Sequence, residues 1–464
     1  RQDKGWASSR ADQQEDIALI CEVGANTVRL AHYPHDEYFY DLCDRKGLVV
    51  WAEIPYISRH VPAGRENTVS QMTEMVRQLG NHPCIVCWGL SNEITINGVS
   101  EDLLENHRIL NDLCHRLDPS RLTTMACVSM LETDSPLLQI PDTLSYNHYF
   151  GWYGASVEDN GPWLDEFHKA HPEICLGLSE YGAEAVLRWH TDTPKMGDYS
   201  EEYQAYYHQR MLETFETRPY LWSTHVWNMF DFASDMRDEG GVKGRNNKGL
   251  VTFDRRIKKD SFYLYKAWWS KEPFVHIAGR RYRDRTGESA RILVYSNQPE
   301  VELFVNGHTL AKQRGARVFA FEVPLKTFGP TAVTAKAGAC KDKAAFRRVK
   351  KPNREYSLET ASGAGANWFD PEGKPVVLDY PEGYFSIRDS IGDILQSEAG
   401  RALLEPLMKK ALEEYGGGGF ASGSQMQKML NGFSLERLIK LSGGKFEPSA
   451  ILELNRALNR IKKK

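Results

Sequence analysis

Between residues 26 and 227 short apolar runs alternate with amphipathic stretches, and this alternation limits the possible folds more than any other feature of the 464-residue chain. Strands are predicted at 27–30, 48–52, 85–90, 122–128, 143–146, 174–178 and 222–227, and helices at 11–23, 36–46, 68–79, 101–117 and 201–217. Gly47 is placed to end one helix, and Ser100 to cap the start of another. Strand and helix in turn imply a parallel sheet. A doubly wound sheet would need a glycine-rich phosphate-binding turn after a strand, and none is present. The pattern therefore predicts a (β/α)8 barrel of which seven strands are visible, the first strand being expected to lie ahead of residue 1.

Beyond Pro273 the period falls to two. Short strands at 291–295, 301–305, 318–323 and 332–335, with Asn306-Gly307 as a tight hairpin turn, predict an immunoglobulin-like β-sandwich. The expected organisation is a barrel over 1–273 (incomplete at its N-terminus), a sandwich over 274–350, a Pro- and Gly-rich linker over 351–384 and a helical region over 385–464, with 416–419 as a flexible link.

A net charge of −4 gives no field to attract a polyanion, so nucleic acid is not an expected partner. No apolar run is long enough to span a bilayer. The eight cysteines follow no disulfide framework, which favours reduced thiols and a cytoplasmic location. Cys84-x-x-Cys87 lies inside an apolar run with no second half-site, so it reads as core, not metal ligand.

In such a barrel catalytic groups lie just past the C-terminal ends of the strands. Two strands end there on a carboxylate: Cys84-Ile-Val-Cys-Trp-Gly-Leu90 runs into Ser91-Asn92-Glu93, and Ile174-Cys-Leu-Gly-Leu178 into Ser179-Glu180-Tyr181-Gly182. A lone buried carboxylate is costly. Paired carboxylates at one rim suit glycoside hydrolysis, in which one stays protonated to assist the leaving oxygen and the other stays ionised. Each glutamate could instead serve a structural ion pair, but two together at strand ends of one rim, each within its flanking motif, favour the chemistry.

These two signatures resemble glycoside hydrolase family 2. So do Asn26-Thr-Val-Arg29-Leu-Ala-His32-Tyr-Pro34, Asp44-Arg-Lys-Gly47-Leu-Val-Val-Trp51-Ala-Glu53 and Asn81-His82-Pro83. The resemblance implies Glu93 as acid/base, Glu180 as nucleophile, Asn92 at the sugar 2-hydroxyl and Tyr149 as the hydrogen-bond donor to the nucleophile. It implies Arg29 and His32 at the rim near the nucleophile, and Trp227 as the aromatic floor under the sugar. The expected activity is a retaining exo-β-glycosidase with the two carboxyls about 5–5.5 Å apart.

The wider run from Trp227-Asn-Met-Phe-Asp-Phe232 to Asn247-Lys-Gly-Leu-Val251 is similar to β-galactosidases, so a terminal β-galactoside is the favoured substrate. The alternative is a β-glucuronidase or β-galacturonidase in which Asn246 and Lys248 bind a carboxylate. The alternative of another class is a non-catalytic carbohydrate-binding protein. The stretch Ile54-Pro-Tyr-Ile-Ser-Arg-His60 lacks the carboxylate of the magnesium-dependent galactosidases, so no metal and no cofactor are expected. A homo-oligomer is left open.

Overall fold

In the computed structural model, residues 1, 3–96, 98–358, 378–414, 431–441 and 448–463 are described. The predicted link at 416–419 and most of the predicted linker lie outside them. Seven parallel strands stand side by side in chain order: β1 (Thr27–Leu30), β2 (Val49–Glu53), β3 (Ile85–Asn92), β4 (Leu122–Val128), β5 (Leu144–Asn147), β6 (Leu176–Tyr181) and β7 (Thr224–Val226). Each lies within two or three residues of its expected position at either end. The sheet curls into a nearly closed barrel, with Thr27 Oγ1 and His225 Nε2 3.2 Å apart between its first and last strands. A cleft of about 1340 Å³ follows that seam up to the rim.

The helices form where an amphipathic face meets a stop signal. Helix α1 (Arg10–Val23) opens with a capping box from Ser9 and Asp12 and closes on Gly24 in the left-handed conformation. Helix α2 (Glu37–Lys46) ends on Gly47, and α4 (Glu101–Leu117) starts from the Ser100 hydroxyl, both as the sequence implies. With α3 (Arg65–Leu79), α5 (Asn160–Ala170), α6 (Glu201–Glu216) and α7 (Asp260–Trp269) they cover the outside of the sheet. Inside, Trp51, Cys87 and Ala126 pack with Trp222 as a plug, so away from the β1–β7 seam the barrel interior is a filled core.

Eight further strands (β10 to β17) follow the barrel, where four or five were expected. β10 (Val275–Ile277), β12 (Ser289–Ser296) and β15 (Arg317–Pro324) form one sheet. The other holds β11 (Asp284–Arg285), β13 (Glu300–Val305), β14 (His308–Arg314), β16 (Pro330–Ala337) and β17 (Cys340–Arg348). Val294, Leu303, Phe321 and Phe346 lie in the core these sheets share. Asn306 and Gly307, both at positive φ, form the β13–β14 hairpin turn as expected. A separate hairpin of β8 (Phe232–Glu239) and β9 (Val242–Asn246) leaves the rim after β7. At the C-terminal end, helices over Ile391–Gln396, Glu398–Glu414, Leu435–Leu441 and Pro448–Leu458 enclose their own apolar cluster.

Candidate active site

The rims of β1, β2, β3, β5 and β6 converge on one cluster. Strands β3 and β6 are buried along nearly their whole length, so the polar residues at their ends enter the rim from fixed backbone. Arg29, on β1, is the hub. Its Nε and Nη2 donate to both oxygens of Glu53 at 2.9 Å, and its Nη1 donates to Glu180 Oε1 at 2.8 Å. Nη2 also donates to Asn92 Oδ1 at 2.7 Å. The guanidinium lies 5.0 Å from the Trp51 ring centroid. A side chain at position 89 would come within 2.3 Å of Trp51 and 2.5 Å of Glu53, so Gly89 is what allows β2 and β3 to bring these groups together.

One guanidinium thus serves two carboxylates. Burial opposes charge on both Arg29 and Glu53. The mutual attraction outweighs it, raising the Arg29 pKa and holding Glu53 below its ordinary range. Glu180 takes a further hydrogen bond on Oε2 from the Tyr149 hydroxyl, at 2.7 Å. Burial, then the Glu180 charge, push the Tyr149 phenol well above its usual pKa, so it remains a donor.

Glu93 is in the opposite condition. Burial first, and the Glu180 carboxylate second, push its carboxyl up to about 7. Its backbone sits at φ 48, a left-handed conformation held by Glu93 N–H donating to Ala126 O at 2.8 Å. Asn147 Nδ2 donates to Asn92 Oδ1 at 3.1 Å, and Asn147 Oδ1 accepts from Ser179 Oγ at 2.7 Å. This fixes the Asn92 amide with its oxygen turned to the protein. A small cavity bounded by Glu93, Asn147, Tyr149, Tyr153 and Gly154 lies beside the acid.

His32 Nδ1 lies 3.1 Å from Glu53 Oε1, and its Nε2 lies 3.9 Å from Glu180 Oε1. Its ring stacks on Trp227 at 5.1 Å and 25°. Both rings line the large cleft.

A second polar cluster adjoins the first through Tyr149. Lys248, fully buried, is 5.6 Å from the Tyr149 ring centroid and 4.7 Å from that of Tyr153. Its Nζ donates to the Tyr153 hydroxyl at 2.7 Å and to Glu184 at 3.1 Å. Arg237 donates to the same two groups, to Glu184 at 2.8 Å and Tyr153 at 2.9 Å. Burial raises the Glu184 pKa, but Lys248 and Arg237 outweigh it and leave the carboxyl below its usual range. Asn246 Oδ1 accepts from Lys248 N–H at 3.0 Å, which ties the two residues into one turn.

A family model described as the TIM barrel domain of glycosyl hydrolases family 2 matches residues 1–272. The chain belongs to glycoside hydrolase family 2. A domain of unknown function matches 287–338. Among curated relatives, a β-glucuronidase of Bacteroides fragilis is 41% identical over 332 residues, which is 68% of this chain and 46% of that protein. Among solved structures, an FMN-binding β-glucuronidase from Facaelibacterium prausnitzii L2-6 is 51% identical with a TM-score of 0.75, over 76% of this chain and 55% of the other. A candidate β-galactosidase from Bacteroides fragilis is 35% identical with a TM-score of 0.71, over 75% and 53%. The chain thus spans about half the length of the proteins it matches.

Within this family 2 barrel the structure brings Arg29, Asn92, Glu93, Tyr149 and Glu180 into one hydrogen-bonded or electrostatically coupled group, with His32 and Trp227 beside it. Asn246 and Lys248 lie together in the adjoining cluster. Five participants were not singled out from sequence: Glu53, Asn147, Tyr153, Glu184 and Arg237. Glu53 ends an apolar strand as Glu93 and Glu180 do, so the same rule would have found it. Asn147, at the end of β5, had a comparable position. Glu184 and Tyr153 carry no spacing signal of their own.

Proposed function

We propose that the barrel carries the catalytic site of a retaining β-glycosidase, and that its sugar is a β-linked hexuronide such as a glucuronide. The chemistry is carried by one arrangement: Glu180 is held by Arg29 and Tyr149, and burial together with that carboxylate pushes the neighbouring Glu93 carboxyl up to about 7. Glu180 attacks the anomeric carbon while the bond to the leaving oxygen breaks and Glu93 gives that oxygen its proton. Glu180 is then an ester and no longer charged. The repulsion that raised the Glu93 pKa disappears, Glu93 ionises, and it can deprotonate the water that releases the sugar with its β-configuration retained. Asn92, its amide oxygen taken up by Arg29 and Asn147, presents its NH2 group to the 2-hydroxyl, and Trp227 and His32 form the apolar wall.

For the sugar, the β-galactoside expected from sequence gives way to the hexuronide. Lys248 and Arg237 form a cationic lobe against Tyr149 and Tyr153, suited to a carboxylate at C6. Two relatives named β-glucuronidase, at 41% and 51% identity, support the same reading. One observation favours a neutral galactoside: Lys248 already spends its charge on Glu184. The test is hydrolysis of nitrophenyl β-glucuronide and β-galactoside, side by side, by this protein. Cleavage of the glucuronide, lost in Glu180→Gln, is the expected result. Cleavage of the galactoside alone would overturn the sugar assignment.

A further inference from the structure

The helical region at the C-terminal end has its own core of Ile387, Ile391, Ile394, Leu404 and Leu458, and takes no part in the chemistry above. One edge of it nevertheless meets the catalytic barrel. A side chain at Gly432 would have its Cβ 2.3 Å from Gly154 Cα and 3.1 Å from Ala155 N, so the two backbones touch with no room between them.

Both sides of that contact are firmly held. On the helical side, Phe433 O accepts from Ile391 N–H at 2.8 Å and Ser434 bridges Ser390, which joins the residues after Gly432 to the region's core. On the barrel side, Gly154 closes a tight turn. Gly151 N–H donates to Gly154 O at 2.9 Å, Tyr153 N–H donates to Tyr149 O at 3.1 Å, and the Tyr203 hydroxyl of α6 donates to Gly151 O. This turn supplies Tyr149 to Glu180 and Tyr153 to Lys248, and Gly154 itself bounds the small cavity beside Glu93.

We propose that the C-terminal helical region is a positioning element of the active site: by seating Gly432 on Gly154 it holds the 149–155 turn, and hence the Tyr149 hydroxyl, against the nucleophile. Because Gly154 lies on the acid/base side, where the leaving group departs, the same contact backs the wall that an aglycone meets. The inference rests on the roles given to Tyr149 and Glu180 above, but not on the choice of sugar.

Gly432→Ala tests it, with Leu407→Ala, an exposed side chain of the same region, as control. Amide exchange needs no substrate, so it reads the contact whether or not the glycosidase reading holds. The Gly151 and Ala155 amides are expected to exchange at least about tenfold faster in Gly432→Ala and at the parent rate in the control. With the preferred nitrophenyl substrate, kcat should fall several-fold with KM little changed. If Gly432→Ala does not fold, exchange in the parent protein under mild denaturant serves instead. Gly151 and Ala155 should then open together with Ile391. A folded Gly432→Ala with parent exchange and parent kcat would overturn the proposal, as would a turn that opens independently of Ile391 in the parent.

Discussion

The two buried ionic clusters of the barrel are inverse in design. Around Arg29 one cation is shared by two carboxylates, Glu53 and Glu180, and a third carboxyl stands by at Glu93. Around Glu184 one carboxylate is shared by two cations, Lys248 and Arg237. Tyr149 joins them, its hydroxyl on Glu180 and its ring facing Lys248. The first cluster is already rich in anions, so adding another charge at Glu93 is unfavourable, which keeps a proton available for transfer. The second is rich in cations, which suits an incoming carboxylate. Buried charge is expensive in either case, and what each arrangement gains is the placement of a functional group more than stability.

Breaking the first cluster should have the largest effect. Glu180→Gln is expected to lower kcat by roughly 10⁴-fold or more through loss of the nucleophile, read in steady-state hydrolysis. Glu53→Gln removes one of the two anions holding Arg29. It should cost about 3–5 kcal/mol of stability, as breaking a buried pair does, seen as a lower melting temperature together with reduced kcat.

Breaking the second cluster should act on selectivity instead. Lys248→Met is expected to lower kcat/KM for the glucuronide by about 10²-fold while leaving that for the galactoside within a few-fold. An equal loss on both substrates would dissolve the contrast between the clusters.

The pH dependence sharpens it further. With Glu93 as the proposed acid, the free protein must carry its proton; that carboxyl is pushed up to about 7, so kcat/KM is expected to decline as pH rises through about 7. The sign for stability agrees. A carboxyl whose folded pKa is raised binds its proton more tightly in the native state, so that contribution is present at low pH and lost as pH rises through about 7. Glu93→Gln should therefore raise the melting temperature more at pH 8 than at pH 5, a small shift visible by calorimetry.

The barrel was legible because short runs rich in apolar residues alternate with amphipathic helices, several of them bounded by caps or glycines. Less was legible where that contrast fails. Helix α5 contains Gly161-Pro162, which reads as a break, although Pro162 in its first turn costs no hydrogen bond. Helix α7 is apolar on several faces, with Phe262, Leu264, Tyr265 and Ala267 all buried, so no amphipathic stripe marks it. The β8–β9 hairpin is mostly polar with no apolar alternation, and its strands form by pairing with each other.

At the site, strand-end position located both catalytic candidates, while the groups that tune them were hidden. Glu184 becomes part of the site only because the chain after β6 folds back to within reach of Lys248, a relation of 64 residues in sequence. The choice between a galactoside and a hexuronide was hidden for a related reason, because the pairing of Arg237 and Lys248 on Glu184 becomes visible only in three dimensions.

The most direct test is to trap the covalent intermediate with 2-deoxy-2-fluoro-β-glucuronosyl fluoride and map the modified peptide by mass spectrometry. A single sugar adduct on Glu180, absent in Glu180→Gln, is the predicted result. An adduct on another residue, or turnover through an α-configured first product with no adduct at all, would contradict the assignment of Glu180 as nucleophile and Glu93 as its acid.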